Sequence, residues 1–441
     1  MSAPAFFRAQ PCLVLAAVLS VVGVWLSVQR VLIPHQIRYA AAHDRPRGNL
    51  SDLYPRWIGA RELLLHGRDP YGADVTREIQ AGYYGRPLDA SRPNDPRDQA
   101  GFAYPVYVVF CLAPTIGLPF AIVQKSFFWV LVILTSAGTL LWLRVLRWPA
   151  PASTLTKISL VVLTLGSLDV VQGLKLQQIS LLVAGLIAIA IMLLVADYPV
   201  AAGILLAVAT IKPQLVVLLL LWLAIWTVGD WRRRYRWAVA FLATMAILLA
   251  ASEWYLPHWI LRFWQAVREY RQYTGARSVL DNLVGPPWSW ALEVLALAAL
   301  LVACYRERRQ DANTYTFAFT ISLALAITVL LVPITATYNQ VLLIPALLLL
   351  LKERRAIWQG GAVIRSLFLI TAGLIFWPWV SGSVLAVLSF VLPLETVDRA
   401  WAAPSWTVTQ IPVALAAVML VFYYQEYYQK AFTAPAGAGS S

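Results

Sequence analysis

Charge is what this sequence has least of. Charged residues make up 13% of the 441 positions against 60% hydrophobic ones, and the mean hydropathy is +0.67. A soluble domain carries about 25% charged residues, so a water-exposed globule is excluded and an all-α polytopic membrane protein is implied. Cysteine is equally scarce: Cys12, Cys111 and Cys304 stand singly in apolar surroundings, which argues against a disulfide framework and against a cysteine nucleophile. The four histidines, His35, His43, His66 and His258, show no metal-ligand spacing. There is no Gly-rich phosphate loop, no Ser-His-Asp arrangement and no nucleotide-binding strand-turn-helix, so neither a soluble nucleotide donor nor any metal or cofactor is expected. Acidic residues are outnumbered 22 to 35 by Lys and Arg, for a formal charge of +13. The basic residues sit in short clusters between apolar runs, which fits anchoring against anionic membrane lipid and speaks against nucleic acid.

What is present is a series of apolar runs. Residues 12–33 form a retained first span, longer than a signal-peptide core. A polar region follows from about His35 to Gly101, and 102–118 is interrupted by Pro105, Pro114 and Pro119 and too short to cross. Together 35–121 read as an extracytoplasmic loop carrying juxtamembrane or re-entrant segments. Further spans are expected at 123–143, 158–171, 179–195, 200–211, 213–228, 237–255, 287–304, 317–333, 341–351, 364–377, 380–392 and 408–424. This makes about 11 to 13 spans at roughly 20 residues each, with 1–433 as one unit and 434–441 a disordered small-residue tail. By the positive-inside rule, Arg144, Arg147, Lys157, the Arg232 to Arg236 cluster, Arg306 to Arg309 and Lys352 to Arg355 mark the cytoplasmic side. The opposite face then gathers the long first loop, the turn 172–178, the Lys212-Pro213 break, the loop 258–285 and the turn 334–340.

Three places on that face hold candidate chemistry. In the stretch 49–71, Leu53, Trp57, Ala60, Leu64 and Leu65 recur at helical spacing, with Pro55 in the first turn and Gly67 placed to end the helix. Ser51 or Asp52 stands where a cap belongs, so Asp52 is either a helix cap or a carboxylate base tuned by burial. Lys212 lies in an apolar stretch beside a proline, where an ammonium either snorkels to the interface or binds an anionic headgroup. The segment around Lys212-Pro213 reads as one kinked helix or as two short ones, and charge favours two. The turn 169–178 offers Gln177, Gln178 and Lys175, with Asp169 expected to pair with Lys175. The 19 Trp and 19 Tyr fit interfacial belts.

Asp52-Leu53-Tyr54 followed by Trp57, Ala60, Leu64, Gly67 and Pro70-Tyr71 resembles the pattern after the first span in glycosyltransferase family 87. Four further pieces agree in order: Tyr104-Pro105, Gln178-Ile179-Ser180-Leu181-Leu182, the Gly203 to Pro213 segment ending in Lys-Pro, and Asn282 ahead of Pro286-Pro287. The resemblance implies a GT-C-type helical bundle and an inverting transfer of a sugar, typically mannose, on the extracytoplasmic side of the cell membrane. The donor would be a polyprenyl-phosphate sugar and the acceptor a lipid or glycan. Asp52 would be the base, Lys212, Arg56 and Arg61 would meet the donor phosphate, and Gln177, Gln178, Tyr71, Asn282, Tyr338 and Asn339 would contact sugar or acceptor. Some members carry a Ser-Pro-Ile-Ser-Trp run followed by histidine, where this chain has Val332-Pro333-Ile334-Thr335-Ala336-Thr337-Tyr338-Asn339. A broken helix beside an intramembrane lysine also suits a transporter or flippase, but the two halves show no inverted repeat.

Overall fold

The computed structural model describes residues 10–48, 51–148, 153–333 and 336–433, so the tail 434–441 lies outside the described residues. About 77% of the chain is helix, and no strand occurs among the described residues. In chain order the α-helices are α1 (Gln10–Ser27), α2 (Ile33–Ala42), α3 (Tyr54–His66), α4 (Ala73–Tyr84), α5 (Val108–Leu112), α6 (Phe120–Val145), α7 (Thr154–Leu165), α8 (Leu168–Lys175), α9 (Ile179–Val195) and α10 (Pro199–Ala209). They continue as α11 (Val217–Gly229), α12 (Trp231–Tyr255), α13 (Trp259–Thr274), α14 (Val279–Leu283), α15 (Trp288–Glu307), α16 (Tyr315–Leu331), α17 (Ile344–Gln359), α18 (Ala362–Val391), α19 (Leu394–Asp398) and α20 (Gln410–Thr433).

Among the described residues six helices are long and apolar enough to cross a membrane, or seven if the bent pair α7 and α8 is one span. The count falls below 11 to 13 because α9, α10, α11 and α16 are apolar helices of only 10–17 residues. An apolar run does not say whether lipid or protein covers it, and α16 shows why. Every residue from Phe317 to Leu330 is buried, as expected for a helix hydrophobic all round. The reverse case is α12, which packs on α10 and on whose 25 residues only Arg234, Trp237 and Ser252 are buried.

Several expected boundaries move. The first span does not stop at 33: a π-helical turn at Val28–Leu32 joins α1 to α2, and the helix runs on to Ala42. The expected spans 364–377 and 380–392 are one helix, α18, with Pro378 inside it. Proline leaves the carbonyl four residues back without its helical donor. Here that carbonyl, Leu374, accepts from the Thr407 hydroxyl at 2.9 Å, so the helix continues through the proline. Residues 102–118 do not span. They fold as α5 and a 3-10 turn, with Val106, Val108, Val109 and Leu112 buried against α3. Residues 199–229 are two short helices, α10 and α11, separated at Lys212 by a 3-10 turn, Pro213–Leu215.

Candidate active site

Asp52 is not a helix cap. Helix α3 starts at Tyr54 with Leu53 at the cap position and no side-chain hydrogen bond there. Of the expected stripe, Leu53, Trp57 and Ala60 are buried, Leu64 is half-buried and Leu65 is exposed, while Ile58 and Leu63 complete the buried face. Gly67 ends the helix as expected, in the left-handed region at φ 64°. Freed from capping, the Asp52 carboxylate accepts the Tyr83 hydroxyl on Oδ1 at 2.9 Å and the Gln178 amide on Oδ2. The Asp52 N–H donates to the Leu176 carbonyl at 2.9 Å, which ties this loop to the turn before α9. Burial pushes the Asp52 carboxyl above the usual carboxylate range, against the opposing pull of the Arg56 guanidinium, the Tyr83 hydrogen bond and the Lys212 ammonium.

The turn before α9 is built by Gln177, which takes a left-handed φ of 50°. Its amide nitrogen donates to the Leu174 and Lys175 carbonyls at 2.8 and 3.0 Å, and its oxygen accepts from Ser51 Oγ at 2.6 Å and Gln124 Nε2 at 3.0 Å. Every polar atom of that side chain is engaged within the protein, so Gln177 shapes the turn, whereas Gln178 reaches Asp52. The expected Asp169–Lys175 pair does not form: Lys175 Nζ donates to Gln36 Oε1 at 3.1 Å.

Two residues into α9 the same turn holds the lysine. Lys212 Nζ donates to Ser180 Oγ at 2.6 Å and to Asn339 Oδ1 at 3.1 Å, and Ser180 Oγ also donates to Asn339 Oδ1 at 2.8 Å. The ammonium lies 4.9 Å from the Tyr338 ring centroid. Tyr104 is a further side-chain hydrogen-bond partner of the ammonium. Lys212 sits in the break between α10 and α11.

Arg56 closes the arrangement. Its guanidinium donates to the Asp52 carbonyl and stacks 4.3 Å from the Tyr104 ring centroid, and its buried Nε has no hydrogen-bond partner among the described residues. Burial raises the Tyr104 phenol, but Arg56 and Lys212 outweigh it and bring it below the ordinary tyrosine value. Arg56, Tyr104, Lys212, Tyr338, Asn339 and Tyr270 line a cavity of about 320 Å³ roofed by α13.

The structure therefore brings together Asp52, Arg56, Gln178, Lys212, Tyr338 and Asn339, with Gln177 behind them. It does not bring in the others. Arg61 lies over the Trp57 ring at 5.6 Å in a separate surface depression. Tyr71 donates its hydroxyl to the Tyr104 carbonyl at 2.6 Å and so supports the wall from behind. Asn282 is exposed on the short helix α14 and does not line the cavity. Sequence reasoning did not single out Tyr83, Ser180, Tyr104 and Tyr270 as site residues. Ser180 and Tyr104 sit inside the motif pieces, whereas the only sign of Tyr83 is an aromatic pair between two glycines, Gly82 and Gly85.

No curated protein and no solved structure shows significant similarity to the chain. The family model of glycosyltransferase family 87 matches residues 102–333, slightly more than half of the chain. That region holds Tyr104, Gln178, Ser180 and Lys212, while Asp52 and Tyr83 precede it and Tyr338 and Asn339 follow it. The membrane-type helices, the polar site between them and this match agree: the chain belongs to glycosyltransferase family 87.

Proposed function

We propose that this glycosyltransferase moves mannose from a polyprenyl-phosphate donor to a hydroxyl of a lipid or glycan acceptor, in one inverting displacement at the extracytoplasmic face, with Asp52 as general base. The observation that carries the reading is a shared anchor. Gln178, at the cap position of α9, holds the carboxylate and Ser180, in its first turn, holds the ammonium, so a base and a cation are fixed to one rigid element. An Asp52 oxygen takes the proton of the acceptor hydroxyl as its oxygen bonds to the anomeric carbon. The bond from that carbon to the phosphate oxygen breaks, and its electron pair leaves with the phosphate. The growing negative charge falls beside Lys212 and Arg56, fixed donors that stabilise it without reorganising. Because attack and departure occur on opposite sides of the carbon, one step inverts its configuration.

Support for the face comes from charge. Lys352 Nζ donates to the Leu146 carbonyl at 2.9 Å and lies over the Tyr315 ring, Arg234 donates to the Arg308 carbonyl at 2.6 Å, and Tyr423 donates to Glu307 at 3.0 Å. These contacts gather the end of α6, the α15–α16 loop and the second halves of α17 and α20 at one basic end. Helix α16 starts there at Tyr315 and runs to Val332, which lines the active-site cavity at the other end. With basic clusters facing the cytoplasm, the site faces outward, and the second half of α20 lies inside.

The test is transfer from radiolabelled polyprenyl-phosphate mannose in membranes bearing wild type or Asp52→Asn. The expected result is labelled product with wild type and none with the variant at equal protein level; equal product with both overturns the assignment. In a cysteine-free background, Asp89→Cys is expected to react with a membrane-impermeant thiol reagent in intact cells, and protection there inverts the topology.

A further inference from the structure

Helix α4 lies wholly in the first loop and packs on α3, yet its last full turn ends inside the active site. That turn is pinned from three directions. A Cβ on Gly82 would overlap the Tyr54 ring, and a Cβ on Gly48 would overlap the Tyr83 carbonyl, so both contacts close only with glycine. Gly85 ends the helix at φ 87°, a conformation that suits glycine. Beside it, Tyr84 donates to the Asp98 carbonyl at 2.7 Å, and Arg86 pairs with Asp95 at 2.6 Å, which fixes the chain that follows. All of this holds one phenol, that of Tyr83, against one oxygen of Asp52.

We propose that Tyr83 is the positioning residue of the general base: its hydroxyl, donated to Asp52 Oδ1, holds the carboxylate in the rotamer and charge state in which it accepts the acceptor's proton. The proposal rests on the reading of Asp52 as base. A donor aimed at a carboxylate stabilises its ionised form, and burial works the other way at this site. Arg56 gives its hydrogen bond to the Asp52 carbonyl, not the carboxylate, and Lys212 gives its own to Ser180 and Asn339. The direct donors to the carboxylate are thus Tyr83 and Gln178 among the described residues, and Tyr83 is the one carried by a separate, individually pinned helix. The groups that act on Asp52 from the elements around it are Arg56 on α3, Tyr83 and Tyr84 on α4, Asp98 and Tyr104 after it, Lys212 at the break, Tyr270 on α13 and Tyr338 after α16. None of these except Tyr83 and Asp52 changes in the test below.

The test has two readouts on purified Tyr83→Phe. The first is the Asp52 carboxyl band in pH-difference infrared spectra, assigned by its loss in Asp52→Asn; its midpoint is expected to move to higher pH by about one unit, a tenfold change in the acid-to-carboxylate ratio. The second is the pH profile of transfer from polyprenyl-phosphate mannose, whose acid limb is expected to move up with the midpoint while the apparent donor KM stays within about twofold. Gly82→Ala keeps the phenol but forces the turn off Tyr54, and it is expected to move the midpoint in the same direction. It serves in place of Tyr83→Phe if that variant does not fold. An unmoved infrared midpoint in a folded variant overturns the proposal. If the midpoint moves and the wild type transfers no sugar, the positioning role stands and the functional reading falls.

Discussion

Two buried cations at opposite ends of this bundle, Arg234 and Lys212, are used in opposite ways. Arg234, at the basic end, donates to the carbonyls of Trp226, Arg308, Arg309 and Gln310 at 2.6 to 3.3 Å and stacks 4.2 Å from the Trp226 ring. Its fork is filled by backbone, and it ties the α15–α16 loop to the α11–α12 turn. Lys212, at the other end, is held by the side chains of Ser180, Asn339 and Tyr104 and lines a cavity. A buried cation enclosed by carbonyls is a fastening. One held by side chains beside a cavity and a carboxylate is equipped to bind.

Four substitutions sharpen or break that contrast. Asp52→Asn is expected to lower the transfer rate most, by at least about a hundredfold, the usual contribution of a general base, measured as labelled product per enzyme. Lys212→Met comes next, with transfer reduced about a hundredfold through loss of a charge-stabilising donor and little change in thermal unfolding. Arg234→Met is its counterpart at the basic end. Leaving carbonyls unpaired costs about 1–3 kcal/mol each, so unfolding temperature should fall clearly while transfer per folded molecule holds. If Arg234→Met instead abolished transfer at unchanged stability, the contrast between the ends would be broken. Thr407→Val is expected to show the smallest effect, about 1 kcal/mol of stability from the exposed Leu374 carbonyl, read by thermal unfolding with activity intact.

The pH dependence follows from the same site. The Asp52 carboxyl is raised by burial, and a base must be ionised to accept a proton. Transfer should therefore fall as pH is lowered through a midpoint above the ordinary carboxylate value of about 3.9. A profile flat down to that value would count against Asp52.

Much of this was readable before any coordinates. The α3 helix and its glycine stop and the two short helices meeting at Lys212 follow from spacing, proline chemistry and charge. Two things were not readable. An apolar run carries no mark of what surrounds it, so the burial of α16 by protein on every side was not legible, and Pro378 looked like a break because its rescue by Thr407 comes from far along the chain. Side-chain roles within the site were also hidden. Gln177 and Gln178 are neighbours of identical chemistry, and only the left-handed turn between Leu176 and α9 sends one into the scaffold and the other to Asp52. Tyr83 sits on a polar helix whose pattern says only that one face is buried.

The central claim is that Asp52 does the proton chemistry and Lys212 holds the phosphate in a single site. The most direct measurement is equilibrium binding of polyprenyl-phosphate mannose to purified Asp52→Asn and to Asp52→Asn/Lys212→Met. The account predicts that the first variant binds the donor as tightly as wild type while transferring no sugar, and that the second binds at least about tenfold more weakly, a loss of roughly 1.4 kcal/mol. Equal donor affinity in the two variants, or transfer at the wild-type rate by the first, would contradict it.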